Sequence, residues 1–174
     1  MKKWITLIFL ILLIAGFIVI FFPKKIEKGI FIPPSNKIKV ELFFPDSEEQ
    51  CLIPEQREIE KREKEETIAR LIIDELFKGP SQESLHSAIP EGTKLREVYI
   101  YDGVLYVDLS GEVSKNHPDG SSAEIATIFS IVNTLTFNLP QYPVKILIDG
   151  REQETLAGHI SLQEAFIFNK DIVK

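Results

Sequence analysis

Cysteine is almost missing from this chain of 174 residues. The single thiol, Cys51, excludes an intramolecular disulfide and any C-x-x-C redox or zinc motif. Histidine is scarce as well. His86, His117 and His159 are 31 and 42 residues apart, so no H-x-x-H or H-E-x-x-H spacing can place two imidazoles on one helix face. There is no G-x-S-x-G elbow, no glycine-rich phosphate loop and no EF-hand loop. No catalytic residue, metal ligand or cofactor is therefore expected. Cys51 with a distant histidine could form a nucleophilic pair, but a lone cysteine more often packs as a small apolar residue. Positive charge is the third shortage. From Ser35 to Lys174 there are 15 basic and 25 acidic residues, a net charge of −10. Nucleic acid, whose affinity rests on cationic contacts to phosphate, is disfavoured as a partner, and so is a domain lying flat on anionic lipid.

Long apolar runs occur once. From Trp4 to Phe22 only Thr6 and Gly16 interrupt the apolar sequence, and no residue is charged. Nineteen helical residues reach about 28 Å, close to the hydrocarbon thickness of a bilayer. The run exceeds a signal-peptide core, no small-x-small site follows it, and no lipidation cysteine stands near Pro23-Lys24-Lys25. The reading is an uncleaved single-pass anchor. Lys2 and Lys3 remain in the cytoplasm and the globular part lies on the other side. The boundaries are a cytoplasmic head at 1–3, a transmembrane anchor at 4–22, a linker at 23–36, a globular domain at 37–168 and a C-terminal tail at 169–174.

Within the domain, Ile38, Val40, Leu42 and Phe44 alternate with mostly charged neighbours, a period-two strand ended by Pro45. Glu55–Glu66 is a mixed charge run, read as a solvated face or helix lead-in with Glu58–Arg62 or Glu60–Lys64 pairs. Ile68, Leu71, Ile72 and Leu76 line one face of a helix that Gly79-Pro80 stops. Asp102-Gly103 joins strands Leu95–Tyr101 and Val104–Leu109 as a hairpin, with Leu105, Val107 and Leu109 facing the core. Ser121-x-x-Glu124 fits a capping box before a stripe of Ile125, Ile128, Phe129, Val132 and Leu135. Val144–Ile148 is a short strand stopped by Asp149-Gly150, and Ser161–Phe168 a helical or extended cap. The order β-α-β-β-α-β predicts an α+β two-layer sandwich, two helices on one face of a roughly four-stranded sheet.

Asp108, in Val107-Asp108-Leu109-Ser110, has two readings: an acid–base or ligand carboxylate, or, with Ser110, an acceptor for backbone N–H groups in the following turn.

Several short segments occur together in order: Val40-Glu41-Leu42-Phe43-Phe44; Leu52-Ile53-Pro54 with Arg57; Gly79-Pro80; Ile89-Pro90-Glu91-Gly92-Thr93; Val107-Asp108-Leu109-Ser110; Ser130-Ile131-Val132-Asn133-Thr134-Leu135; Ile148-Asp149-Gly150; and Gly158-His159-Ile160. In this order the domain resembles the GerMN domain of bacterial sporulation and spore-germination proteins, here in a single copy. The resemblance implies an exported, membrane-attached protein of the bacterial cytoplasmic membrane with its domain on the extracytoplasmic side. It also implies similarity to ring-building motifs of secretion systems and a part in sporulation or germination if the organism forms spores. It brings no catalytic residue and no cofactor. The motif residues Arg57, Gly79, Pro80, Pro90, Gly92, Asp108, Ser110, Thr134, Leu135, Asp149, Gly150, Gly158 and His159 are read as structural. Expected partners are other envelope or membrane proteins, further copies of the chain, and the bilayer through residues 4–22. The alternative is a domain that binds or hydrolyses cell-wall glycan or peptide.

Overall fold

A computed structural model describes residues 36–48 and 51–174. The expected anchor at 4–22 and the linker up to residue 35 lie outside the described residues. Among the described residues no helix is long and apolar enough to cross a membrane.

The chain runs β1 (Lys37–Pro45), β2 (Leu52–Glu60), α1 (Glu65–Phe77), β3 (Leu95–Tyr101), β4 (Val104–Leu109), a short α2 (Glu112–Lys115), α3 (Ser121–Asn138), β5 (Val144–Ile148) and a 3-10 turn at Lys170–Ile172. The architecture is α+β, but it corrects the single four-stranded sheet. β1 and β2 form an antiparallel hairpin of their own, and a separate three-stranded sheet has the order β3-β4-β5, antiparallel then parallel.

The second correction explains the first. Leu52–Glu60 is a strand, so the first half of the charge run is not a helix lead-in. Neither expected i,i+4 pair is among its ion pairs; Glu58 pairs with Lys37 across the hairpin, and Glu60 with Arg62. The register sets Ile53, Glu55, Arg57 and Ile59 opposite Phe44, Leu42, Val40 and Ile38. The inward face of β2 thus carries an ion pair at its two central positions, where a half-buried strand ordinarily has apolar residues.

The Asp102-Gly103 turn forms as expected, both residues in the left-handed region (φ 49° and 73°) that a two-residue hairpin requires. Leu105, Val107 and Leu109 are completely buried. One core joins Val40, Leu42 and Phe44 of β1, Ile72, Ile73 and Leu76 of α1, that β4 triplet, and Val144, Ile146 and Ile148 of β5 around α3. α3 is more than an amphipathic surface helix. From Ala126 to Thr136 every residue except Phe129 is buried. β1, α1 and β5 pack against it, and the C-terminal segment lies along it, with Phe166 edge-to-face on Phe129 and Asn169 paired to Asn133. That segment is extended: Phe166 bridges Val144, and Val173 bridges Leu52.

Candidate functional site

Carboxylates at three places tie loops to this frame. The first is Glu55 on β2, 7% exposed. It accepts from Arg57 Nε at 2.6 Å and from the backbone N–H groups of Ser81 and Gln82 at 2.9 and 3.2 Å. Arg57 in turn donates to the Gly79 carbonyl at 3.0 Å. Gly79, at φ 81°, makes the left-handed turn that ends α1, which brings Arg57, Gly79 and Pro80 together. Burial pushes the Glu55 carboxyl upward, but the bonds from Arg57, Ser81 and Gln82 outweigh it and hold it below the usual range.

The second cluster lies where β4 and β5 end. Asp108 Oδ1 accepts from the Gly150 N–H at 2.8 Å and its Oδ2 from Arg96 Nε at 2.9 Å. Asp149, at φ 52°, accepts from the Gly111 N–H at 3.2 Å and lies 3.5 Å from Arg96. Ser110 Oγ accepts from the Lys94 N–H at 3.0 Å. Asp108 and Ser110 therefore fasten segments 42 and 16 residues away, and the Ser110 side chain also bonds the Glu112 carboxylate just after it. Arg96 carried no signal of its own in the sequence. It sits in the register shift between Leu95 and Glu97, and such an extra residue re-aims a side chain.

The third is Glu124, completely buried on α3. It does not close a capping box: Gly120 is the helix cap and no side chain caps the first turn. Instead Glu124 Oε1 accepts from the N–H groups of Leu156, Ala157 and Ile160, and its Oε2 from the His159 N–H at 2.8 Å. His159 Nδ1 lies 3.1 Å from the same oxygen, and Gly158 turns the loop at φ 106°. Burial raises the Glu124 carboxyl, yet the N–H bonds of Ala157, Ile160 and His159 and the His159 ring bring it below the usual range.

The remaining motif residues fill supporting positions. Thr134 Oγ1 accepts from the Phe43 N–H at 2.9 Å, and Asn138 both donates to the Glu41 carbonyl and accepts from its N–H. Two α3 side chains thereby cover the edge of β1 that β2 leaves open. Leu135 is fully buried. Pro90 and Gly92, the latter at φ 83°, shape a loop that Asn116 holds by the Glu91 carbonyl at 2.8 Å. Cys51 donates to Asp46 at 3.1 Å, a bond that pushes its thiol up, away from the thiolate a nucleophile needs.

Among the described residues no three His, Cys, Asp or Glu side chains group as metal ligands. A hollow of about 460 Å³ borders Phe129 and Ala165–Asp171, and one of about 230 Å³ borders Pro140, Tyr142, Pro143, Ile167 and Phe168. Neither is lined by Glu55, Asp108 or Glu124.

A small α+β domain whose loops hang on buried carboxylates defines the class, and comparison gives the family. The family described as Germane, sporulation and spore germination, matches residues 41–154, and the chain belongs to it. A candidate lipoprotein from Clostridium perfringens of solved structure is 30% identical, with 78% of this chain and 89% of that one covered, at a TM-score of 0.54. Two structures of the sporulation protein GerM from Bacillus subtilis share the fold at 19% identity. Its tandem GerMN domains align over 78% of this chain and 47% of theirs, at a TM-score of 0.57. Its first GerMN domain aligns over 77% and 99%, at 0.54. This chain spans about half of the tandem, as one GerMN domain does. No curated protein matches the chain.

Proposed function

We propose that this chain is a membrane-tethered GerMN module of the bacterial envelope, with its domain on the extracytoplasmic side. It acts by contact with other proteins rather than by catalysis, and in sporulation or germination where the organism forms spores. The observation that carries this reading is how the motif's charged side chains are used. Arg57, Asp108 and Asp149 are each bonded to the backbone of a distant loop, as is the buried Glu124 behind His159. A general acid or base must instead face the proton it moves. The family's description and the lipoprotein character proposed for the Clostridium perfringens relative support an envelope location. The uninterrupted apolar run from Trp4 to Phe22 supports tethering through a bilayer.

The test is purification of the full chain from detergent-solubilised membranes, with mass spectrometry of what accompanies it. The expected result is a defined set of envelope proteins, lost on charge reversal of exposed residues. Recovery in the soluble fraction with no companion, together with turnover of a wall fragment by the pure chain, would overturn the proposal.

A further inference from the structure

Only three large apolar side chains stand well exposed among the described residues: Tyr101 at 69%, Phe137 at 51% and Ile167 at 72%. Two of them are linked through Phe168. Phe137 packs on Phe168 at 5.9 Å between ring centroids, and Ile167 is the next residue back along the chain. Phe43 lies beneath, edge-on to both rings. Ile167 projects as a knob, and it borders both hollows at once, the one of about 460 Å³ toward Phe129 and the one of about 230 Å³ toward Pro140.

A knob beside a hole is the arrangement that a two-fold axis satisfies, because each copy then offers what the other lacks. The charges agree. The domain carries −10 between Ser35 and Lys174, so two copies repel each other over most of their surface. A cationic partner would seek that acidic surface, whereas a second copy needs a patch without net charge. This patch has one: its only charged lining residues are Lys170 and Asp171, adjacent and opposite in sign. A two-fold axis passing beside this pair would set Lys170 of one copy against Asp171 of the other, and the reverse.

We propose that this surface joins two copies of the chain, with Ile167 of each seated in the hollow of its mate and the Lys170–Asp171 pairs closing the rim. The inference rests on the reading of the chain as an assembly module and names one contact such a module makes. Tethering to a common membrane raises the local concentration of copies, which favours this self-contact.

Sedimentation equilibrium of the full chain in density-matched detergent tests it. Wild type is expected to be a reversible dimer. Ile167→Glu should weaken the dimer at least tenfold with little change in melting temperature, since that side chain is exposed. Tyr101→Glu, an equally exposed aromatic elsewhere, should leave it unchanged. Lys170→Asp and Asp171→Lys should each weaken the dimer, and the double exchange should restore it. A wild-type monomer at every concentration overturns the proposal, as does a dimer that Ile167→Glu leaves intact. Co-purification with other envelope proteins is read on the same samples. If those companions persist while the dimer is absent, only the self-contact falls; if both are absent, the assembly reading falls with it.

Discussion

Glu124 and Ile160, thirty-six residues apart, are joined by a 3.1 Å hydrogen bond in which a fully buried carboxylate is the acceptor. Three more backbone N–H groups converge on the same side chain. Glu124→Ala leaves four donors without an acceptor, a loss of roughly 3–5 kcal/mol by the cost of breaking buried charged contacts. Chemical denaturation should read this as a lower midpoint; an unchanged midpoint would show that the loop holds itself.

Glu124 and Glu55 also set the acid limb of stability. Both are held below their ordinary value of 4.5. A depressed carboxyl contributes stability above its unfolded value and loses it as pH falls through the folded one. The unfolding midpoint should therefore be flat above about pH 5.5 and drop below about pH 4.5. In the Glu55→Gln, Glu124→Gln double variant the protein should be less stable at neutral pH and its acid limb shallower. A parallel acid limb in that variant would assign the loss to other groups.

Gly111 and Asp149 should show coupled energetics. A Cβ on Gly111 would meet Asp149 Oδ2 at 2.6 Å, although the Gly111 backbone is helical (φ −59°) and suits alanine. Gly111→Ala should cost about 1–3 kcal/mol through displaced packing and the lost bond to Asp149. In an Asp149→Gly background the obstruction is gone, and glycine tolerates the left-handed backbone there. The alanine should then cost well under 1 kcal/mol or stabilise slightly. Equal costs in both backgrounds, measured as a double-mutant cycle, would contradict the geometry.

Those couplings also show what the sequence could and could not reveal. The β3–β4 hairpin, the end of α1 and the span of β5 are legible because Asp102-Gly103, Gly79-Pro80 and an apolar run are local signals. β2 is hidden because Glu55 and Arg57 occupy inward positions and are satisfied by a loop more than twenty residues away. The C-terminal segment lacks periodicity because its order comes from single pairings such as Phe166 with Val144. Asp108, Asp149 and Gly150 stand out in the sequence, but the residue that binds both aspartates, Arg96, looks like any exposed arginine until the fold closes. Ser121-x-x-Glu124 has the spacing of a local cap, yet Glu124 turns to a loop folded against α3.

The open edge of β1 yields a further expectation. Thr134 and Asn138 occupy the backbone groups of Glu41 and Phe43 that another strand would otherwise pair with. Thr134→Val keeps the shape but removes the acceptor, at roughly 1–3 kcal/mol for an orphaned N–H. Combined with Asn138→Ala it exposes a strand edge, the feature that templates edge-to-edge association. Light scattering under native conditions should rise for the double variant and not for wild type. Equal scattering would mean that other packing shields β1.

Leu135 and Phe137 provide an internal contrast on α3. Leu135 is fully buried and Phe137 is 51% exposed. Leu135→Ala should cost roughly 2–5 kcal/mol, and Phe137→Ser much less, because that ring is only half removed from water. Similar losses at both positions would mean that the two sides of α3 are equally buried in solution.

His159 separates contact from catalysis most cleanly. Its main-chain N–H bond to Glu124 survives any side-chain replacement, so His159→Ala removes only the ring's 3.1 Å contact. That ring is 48% exposed, and a half-exposed hydrogen bond of this kind is worth about 1 kcal/mol or less. The variant should stay folded at working temperature, which makes any loss of function hard to attribute to unfolding. If the chain works by contact, His159→Ala should retain its companions and its cellular role nearly in full. A general acid or base would behave otherwise, since such groups account for about 100- to 10,000-fold in rate. Asp108→Ala is the less clean partner experiment, because it also releases the Gly150 N–H and Arg96 and should lower stability by about 1–3 kcal/mol. The informative pair of measurements is thermal melting and co-purification on the same His159→Ala protein. A stable variant that keeps every companion but loses the cellular phenotype would sink the contact reading and point to chemistry at the loop that Glu124 holds.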